Sequence, residues 1–287
     1  MRRIKQNSTL SILRKRKQLL SPFLAYSRLS KRGKFVIVVV FLSFFIFVVQ
    51  YQFRQSGFLT VPVLAILTDI MLYFILRADL KERFSMPIFI LPFFYSLAFG
   101  YFYFLLPAEI LSRILITGLF AFGLYSLLLC QNIFAIASIR TIALLSGARI
   151  VSFVLTLFTF FLLGNVIYSL HLSIFPTIAL VLFPAFFLAL YSLWTYAPHP
   201  QLQSMRLSLI LWALLISLCI TETASILWFW PSSPTVLSIF LTGFLYTTLG
   251  LCHVWFERRL FRGVLWEYAW VGFIVCVLLF SLTQWGK

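Results

Sequence analysis

Residues 174–195 read IFPTIALVLFPAFFLALYSLWT, and none of these side chains carries a charge. A helix that crosses the hydrocarbon core of a bilayer needs about 20 mainly apolar residues. This stretch has that length and that composition, so it predicts a transmembrane helix. Comparable runs recur along the rest of the chain, and together they decide the fold class.

Eight further apolar runs lie on both sides of this one, and each is long enough to be a span. They predict an all-α fold, a polytopic transmembrane helical bundle of about nine spans. The run that contains Arg149 has the weakest signal, and only Pro107, Ala108 and Glu109 separate the third run from the fourth. The predicted spans are 35–51, 58–77, 85–106, 110–130, 143–164, 174–195, 207–230, 235–256 and 268–285.

The composition also indicates a membrane protein. Hydrophobic residues make up 62% of the 287 residues, charged residues make up 10%, and the mean hydropathy is +1.02. Soluble domains have about 45–50% apolar and about 25% charged residues, so this chain cannot provide a water-exposed surface. The four cysteines show no CxxC spacing and the three histidines show no metal-ligand spacing. We therefore predict no disulfide framework, no metal site and no cofactor.

Basic residues are concentrated before the first span. The net charge is +16, and eleven of the 23 lysines and arginines precede residue 35. With the N-terminus in the cytoplasm, nine spans place 20 basic residues inside and 3 outside, as the positive-inside rule requires. The sequence thus predicts a multi-pass protein of the bacterial inner membrane, oriented N-in and C-out. It has a basic cytoplasmic tail, residues 1–34, and a transmembrane domain, residues 35–287.

The basic tail alternates its charges with leucine, isoleucine and phenylalanine. This pattern is compatible with an amphipathic segment that binds anionic lipid headgroups on the membrane surface. A solvated, disordered tail explains it equally well. Because the membrane accounts for the positive charge, nucleic acid is not a predicted partner, and the sequence does not indicate an oligomeric state.

A weak internal repeat relates the two halves of the transmembrane domain. Ser85-Met86 opens span 3 as Ser204-Met205 opens span 7, and Thr117-Gly118 in span 4 recurs as Thr242-Gly243 in span 8. The pattern suggests a parallel repeat of residues 58–164 and 174–285, an arrangement that occurs in transporters. Chance similarity between apolar segments is the alternative.

Two acidic residues lie within predicted spans. Asp69 is well inside span 2, and Glu222 is in the outer half of span 7. Charges at membrane depth are costly, so ionisable residues there are candidate functional groups. Each is interpreted either as a proton- or cation-coupling carboxylate, or as a protonated acid that hydrogen-bonds a neighbouring helix.

The start of span 5 and the end of span 4 form a second polar region, which contains Asn132, Arg140 and Arg149. Arg149 belongs to a polar stripe at helical spacing, which predicts a helix contact or a cavity rather than a lipid-facing surface. We expect Arg149 to have a charge partner in the bundle, preferably Asp69, which lies at similar depth; the alternative is an arginine that reaches the cytoplasmic headgroups. The stripe is Ser146, Arg149, Ser152, Thr156 and Thr159.

The segment Asn132-Ile133-Phe134, with Arg140 and Ser146-Gly147-Ala148-Arg149, resembles a family of uncharacterised bacterial multispanning membrane proteins known as a domain of unknown function. The resemblance covers about one third of the chain. It implies a polytopic protein and no particular activity.

Three classes of function are compatible with these features. The first is a small-solute or lipid-intermediate permease, which the two membrane carboxylates and the possible repeat favour. The second is a non-catalytic scaffold or sensor subunit. The third is a membrane-embedded enzyme acting on a lipid, although the sequence shows no catalytic motif. The candidate intramembrane polar site comprises Asp69, Asn132, Arg140, Arg149 and Glu222.

Overall fold

The computed structural model describes residues 31–52, 56–80, 86–106, 109–137, 144–196 and 202–283. Within these residues the chain forms nine α-helices, joined in part by short turns, and no β-strand. The helices are α1 (Lys31–Gln52), α2 (Thr60–Leu80), α3 (Ile90–Leu105), α4 (Ile110–Ala137), α5 (Leu145–Ser169), α6 (Ile174–Tyr196), α7 (Leu202–Trp228), α8 (Pro234–Phe256) and α9 (Arg262–Leu282).

Every predicted span coincides with one of these helices, so the predicted all-α bundle is confirmed. Eight helices of the described part, α2 to α9, are long and apolar enough to cross a membrane. The other, α1, begins with three basic residues in its first turn and is mainly apolar from Phe35 onward. The first 30 residues of the basic tail lie outside the described residues.

The largest difference between a predicted and an observed boundary is at the end of span 4. Span 4 was predicted to end at residue 130, where polar residues begin, but α4 continues to Ala137. The helix continues because Gln131 is fully buried and hydrogen-bonds to Tyr191 of α6, so the amide is accommodated inside protein rather than in lipid or water. A polar residue therefore does not mark the end of this span.

Helix packing places α3 and α5 at the centre of the bundle and α9 at its edge. More than half of the α3 and α5 spans is buried, 56% in each case, against 6% of α9. α3 packs against α2 on one side and α5 on another, and α5 packs against α8. Other close pairs are α1 with α4, α4 with α5, α5 with α6, α6 with α7, and α8 with α9.

Glycines of α8 bring α9 close to it. A Cβ at Gly250 would overlap the ring of Tyr268, and a Cβ at Gly243 would lie 2.6 Å from a Val275 methyl group. The two glycines are seven residues apart, two turns along one face of α8. Small residues of this kind let transmembrane helices approach closely, and they fix how the edge helix α9 docks.

Candidate functional site

The ends of three helices meet at one end of the bundle. Arg149 lies one turn into α5, Tyr196 is the last residue of α6, His253 is in the last turn of α8, and Glu257 directly follows α8. Because consecutive spans run in opposite directions, the start of α5 lies beside the ends of α6 and α8. We call this group the Arg149 cluster; it comprises Arg149, Ser192, Thr195, Tyr196, His253 and Glu257.

Arg149 contacts both neighbouring helices through its guanidinium. Its Nε donates a hydrogen bond of 2.8 Å to the carbonyl oxygen of Thr195. Its Nη1 lies 3.8 Å from Oε1 of Glu257, and its Cζ lies 5.3 Å from the ring centroid of Tyr196. The side chain is 19% exposed, which makes the ion pair partly accessible to solvent. Arg149 therefore has a charge partner, Glu257, which lies just beyond the end of α8 and not inside the bundle as we expected.

His253 is enclosed, with only 4% of the residue exposed. Its Nε2 lies 3.0 Å from Oγ of Ser192, and its ring stacks on Tyr196 with centroids 3.8 Å apart and 8° between the planes. Phe153 of α5 approaches edge-on at 5.0 Å. Contacts from α5 and α6 therefore hold this α8 imidazole in one orientation.

A hydrogen-bond chain joins α4, α6 and α5 in the core. Gln131 Nε2 donates to the Tyr191 hydroxyl at 2.8 Å, and that hydroxyl donates to Ser152 Oγ at 3.2 Å. We call these three residues the core chain. All three are buried, and Oε1 of Gln131 has no hydrogen-bond partner within the described part of the protein. The same holds for Oδ1 of Asn132, the next residue of α4.

The polar stripe of α5 faces protein over most of its length. Ser152, Thr156 and Thr159 are each at most 1% exposed, whereas Ser146 at the helix start is exposed. Thr156 and Thr159 donate to backbone carbonyls one turn earlier in α5, at 2.7 Å in both cases. The prediction that this face makes helix contacts rather than facing lipid is confirmed for these three residues.

Asp69 does not pair with Arg149, so that part of the prediction was wrong. Its Oδ1 is buried and has no hydrogen-bond partner among the residues that the structure describes. α3 separates the two groups, because α2 packs against α3 and α3 packs against α5. Residue counting gives the two side chains similar depths, but depth does not say which helices are neighbours.

The other predicted site residues do not join the Arg149 cluster. Glu222 is exposed on the surface of α7, where its nearest neighbours on the same face, Leu218 and Ile226, are exposed as well. Asn132 is half-buried on α4, next to the core chain. Arg140 lies outside the described residues. The five predicted residues therefore do not converge on one site in the described part of the chain.

Sequence reasoning did not single out Tyr196, Ser192 or His253 as site residues. A signal for Glu257 was present, since the predicted topology places the end of span 8 on the same side as the start of span 5. His253 and Glu257 are also four residues apart, which puts both on one side of α8. Together these facts pointed to Glu257 as a partner for Arg149.

A cleft of about 230 Å³ lies at the opposite end of α5. Tyr168 at the end of α5 and His171 in the α5–α6 turn line it, as do Trp228 at the end of α7 and Trp230 just beyond that helix. Trp228 Nε1 donates to the carbonyl of Leu172 at 3.0 Å, which ties the two turns together. Neither Asp69 nor Glu222 lines this cleft.

The described part of the chain contains nine helices, eight of them able to cross a bilayer, and buried polar groups connect four of them, which defines a multi-pass integral membrane protein. The family model described as "Protein of unknown function (DUF5656)" matches residues 79–282, and the chain belongs to that family. The resemblance to an uncharacterised family is thereby confirmed, over a longer stretch than the motifs indicated. No curated protein and no solved structure matches the chain.

Proposed function

We propose that the protein is a permease for a small solute or a lipid intermediate, and that the Arg149 cluster forms one mouth of its pathway. The observation that carries the proposal is the position of two polar groups, the Arg149 cluster and the core chain, next to each other along α6. Tyr191 and Ser192 are neighbours on α6, so the two groups adjoin. Intramembrane polar groups of this kind commonly mark substrate pathways.

The unsatisfied amide oxygens support a role in binding. A buried polar network is costly when some members lack partners, and such groups call for an explanation such as water, an ion or a ligand. Oε1 of Gln131 and Oδ1 of Asn132 are acceptors without partners in the described part of the bundle. Hydrogen-bond donors of a solute in transit would complete this network.

We further propose the N-in orientation, with the Arg149 cluster at the cytoplasmic side of the cell membrane. The distribution of basic residues supports this assignment. Arg149 and the three arginines that follow α8, Arg258, Arg259 and Arg262, then all lie on the cytoplasmic side.

Cysteine accessibility tests the permease proposal without knowledge of the substrate. Single cysteines replace Ser152, Thr156 or Thr159 in a chain whose four native cysteines are removed, and cells are treated with a water-soluble methanethiosulfonate reagent. A pathway that opens to water makes these thiols reactive. The controls are cysteines at Phe160, buried on another face of α5, and at Val154, 56% exposed on its lipid-facing side. Thiols as inert as both controls would contradict a pathway along this face.

The second candidate is a non-catalytic assembly subunit, and Glu222 favours it. A carboxylate among exposed leucines and isoleucines of a transmembrane helix is costly in lipid and is less so beside a polar or basic group of another membrane protein. Inert thiols along α5, together with a cross-link from a cysteine at Leu218 to a second membrane protein, would support this function instead.

A further inference from the structure

We infer that the Arg149 cluster binds a phosphate group, carried by a soluble solute or by a lipid headgroup, which takes the place of Glu257 beside the guanidinium. This inference rests on the proposed function for its role in transport, but the binding itself is measured without transport. The observations that lead to it are the hydrogen-bonding state of Arg149, the loose hold on Glu257 and the surrounding charge.

Among the described residues, only one nitrogen of the Arg149 guanidinium has a hydrogen-bond acceptor. Only Nε makes a hydrogen bond with a described residue, to the Thr195 carbonyl. Nη1 is 3.8 Å from the nearest oxygen of Glu257, which is beyond hydrogen-bond distance, and Nη2 makes no hydrogen bond with the described residues. Within the described part of the chain, the four N–H bonds of the two terminal nitrogens therefore have no acceptor, and two of them match the spacing of two phosphate oxygens.

Glu257 is a weakly held counter-ion. It lies 3.8 Å from Arg149 and 4.0 Å from Arg259, so it is shared between two arginines without a close contact to either. Its side chain is 34% exposed. Ion pairs that are open to solvent contribute little free energy, so an incoming anion displaces this carboxylate at small cost.

Several features of the cluster favour an anion with more than one charge. Arg258, Arg259 and Arg262 are exposed immediately beyond α8 and create a positive field that attracts anions to this end of the bundle. The Thr195 carbonyl and the Tyr196 ring hold the guanidinium in place before a ligand arrives. A fixed planar fork with basic surroundings suits a phosphate better than a single carboxylate.

The experiment measures thermal unfolding of the full chain in a neutral detergent, followed by tryptophan fluorescence. One arm titrates inorganic phosphate against sodium chloride at equal ionic strength. The other arm titrates short-chain phosphatidylglycerol against short-chain phosphatidylcholine. A ligand that binds the folded protein raises the unfolding temperature with concentration, which gives a dissociation constant.

Four variants carry the test. Arg149→Gln removes charged hydrogen bonds and should weaken binding by about 10- to 100-fold. Arg149→Lys keeps the charge but not the planar guanidinium with its paired donors, so an intermediate loss of affinity is expected. Glu257→Gln removes the competing anion and should tighten binding by a few-fold, on the order of the small free energy of an exposed pair. Arg113→Gln is the matched control, because Arg113 lies near the start of α4 as Arg149 lies near the start of α5. This variant should leave binding unchanged.

Stabilisation in both arms, lost in Arg149→Gln, supports a phosphate site that accepts either source. Stabilisation in one arm alone assigns the phosphate to a soluble solute or to a lipid. The inference is overturned if neither ligand stabilises the protein, if Arg149→Gln responds as the unmodified chain does, or if Arg113→Gln weakens binding as much as Arg149→Gln does. Tighter binding by Glu257→Gln cannot result from misfolding. If the α5 thiols are inert while phosphate binding is intact, the permease proposal is rejected and the phosphate site is retained.

Discussion

The ring of Tyr196 lies face to face on the imidazole of His253, with centroids 3.8 Å apart and planes 8° from parallel. Tyr196 ends α6 and His253 lies in the last turn of α8, so the stack joins the ends of two helices. The same tyrosine ring lies 5.3 Å from the Arg149 guanidinium carbon, which brings α5 into the contact. One aromatic side chain thus links all three helices of the Arg149 cluster.

Replacing Tyr196 with leucine should therefore destabilise the protein. The stack and the cation–π contact are each expected to contribute about 0.5–1.5 kcal/mol, so the unfolding free energy should fall by about 1–3 kcal/mol. Thermal unfolding in detergent measures the change. Tyr196→Phe keeps the ring and is the matched control, with stability near that of the unmodified chain. Equal losses in both variants would mean that the hydroxyl, not the ring, is what matters.

The core chain predicts which of two substitutions lowers the free energy of unfolding more. Tyr191→Phe removes the hydroxyl that Gln131 donates to, and it leaves a buried amide nitrogen without an acceptor, at a cost of about 1–3 kcal/mol. Gln131→Leu removes one hydrogen bond together with an oxygen that had no partner in the described bundle, so its cost should be smaller. Chemical unfolding of both variants in the same detergent decides the order. A larger loss for Gln131→Leu would show that the unpaired oxygen has a stabilising partner.

Gly250→Ala should disturb the docking of α9. The added methyl group would overlap the ring of Tyr268, and overpacking of this kind typically costs about 1–3 kcal/mol. Gly118→Ala on α4 is the control, because a Cβ there meets no atom within 4 Å and alanine favours a helix. Limited proteolysis of the segment between α8 and α9, compared in the two variants, reports the change. Equal protection of both would argue against close α8–α9 packing.

Reporter fusions test the proposed orientation. A reporter inserted after Arg259, between α8 and α9, should be active on the cytoplasmic side, and one fused after Lys287 should read the outside, because 20 of 23 basic residues then lie inside. An alkaline phosphatase and green fluorescent protein pair gives opposite signals at the two sites. The same signal from both positions would overturn the nine-span model, because that model places α9 across the membrane between them.

The sequence predicts the spans well because length and hydropathy alone determine them. Arg149 weakened the signal for α5, yet the helix forms around it, since its cation is met by Thr195 and Glu257 near the membrane surface. The helical spacing of Ser152, Thr156 and Thr159 likewise predicts their common burial. These features depend on local periodicity, which a single sequence contains.

The pairing of Arg149 could not be assigned from the sequence in the same way. Span positions give the depth of Asp69 and Arg149, but not the order of helices around the bundle, and α3 lies between their helices. The exposure of Glu222 is equally a matter of which face of α7 meets a neighbour. The parallel repeat of residues 58–164 and 174–285 stays a prediction.

The edge position of α9 makes that helix sensitive to membrane thickness. Its 21 residues span about 30 Å at about 1.5 Å per residue, close to the hydrocarbon thickness of a typical bilayer. α4, with 28 residues, is about 42 Å long and must tilt or extend beyond the hydrocarbon. Neighbouring helices fix the tilt of enclosed spans, but only 6% of the α9 span is buried within the protein. Thinner or thicker lipids should therefore change the angle of α9 before that of any central helix.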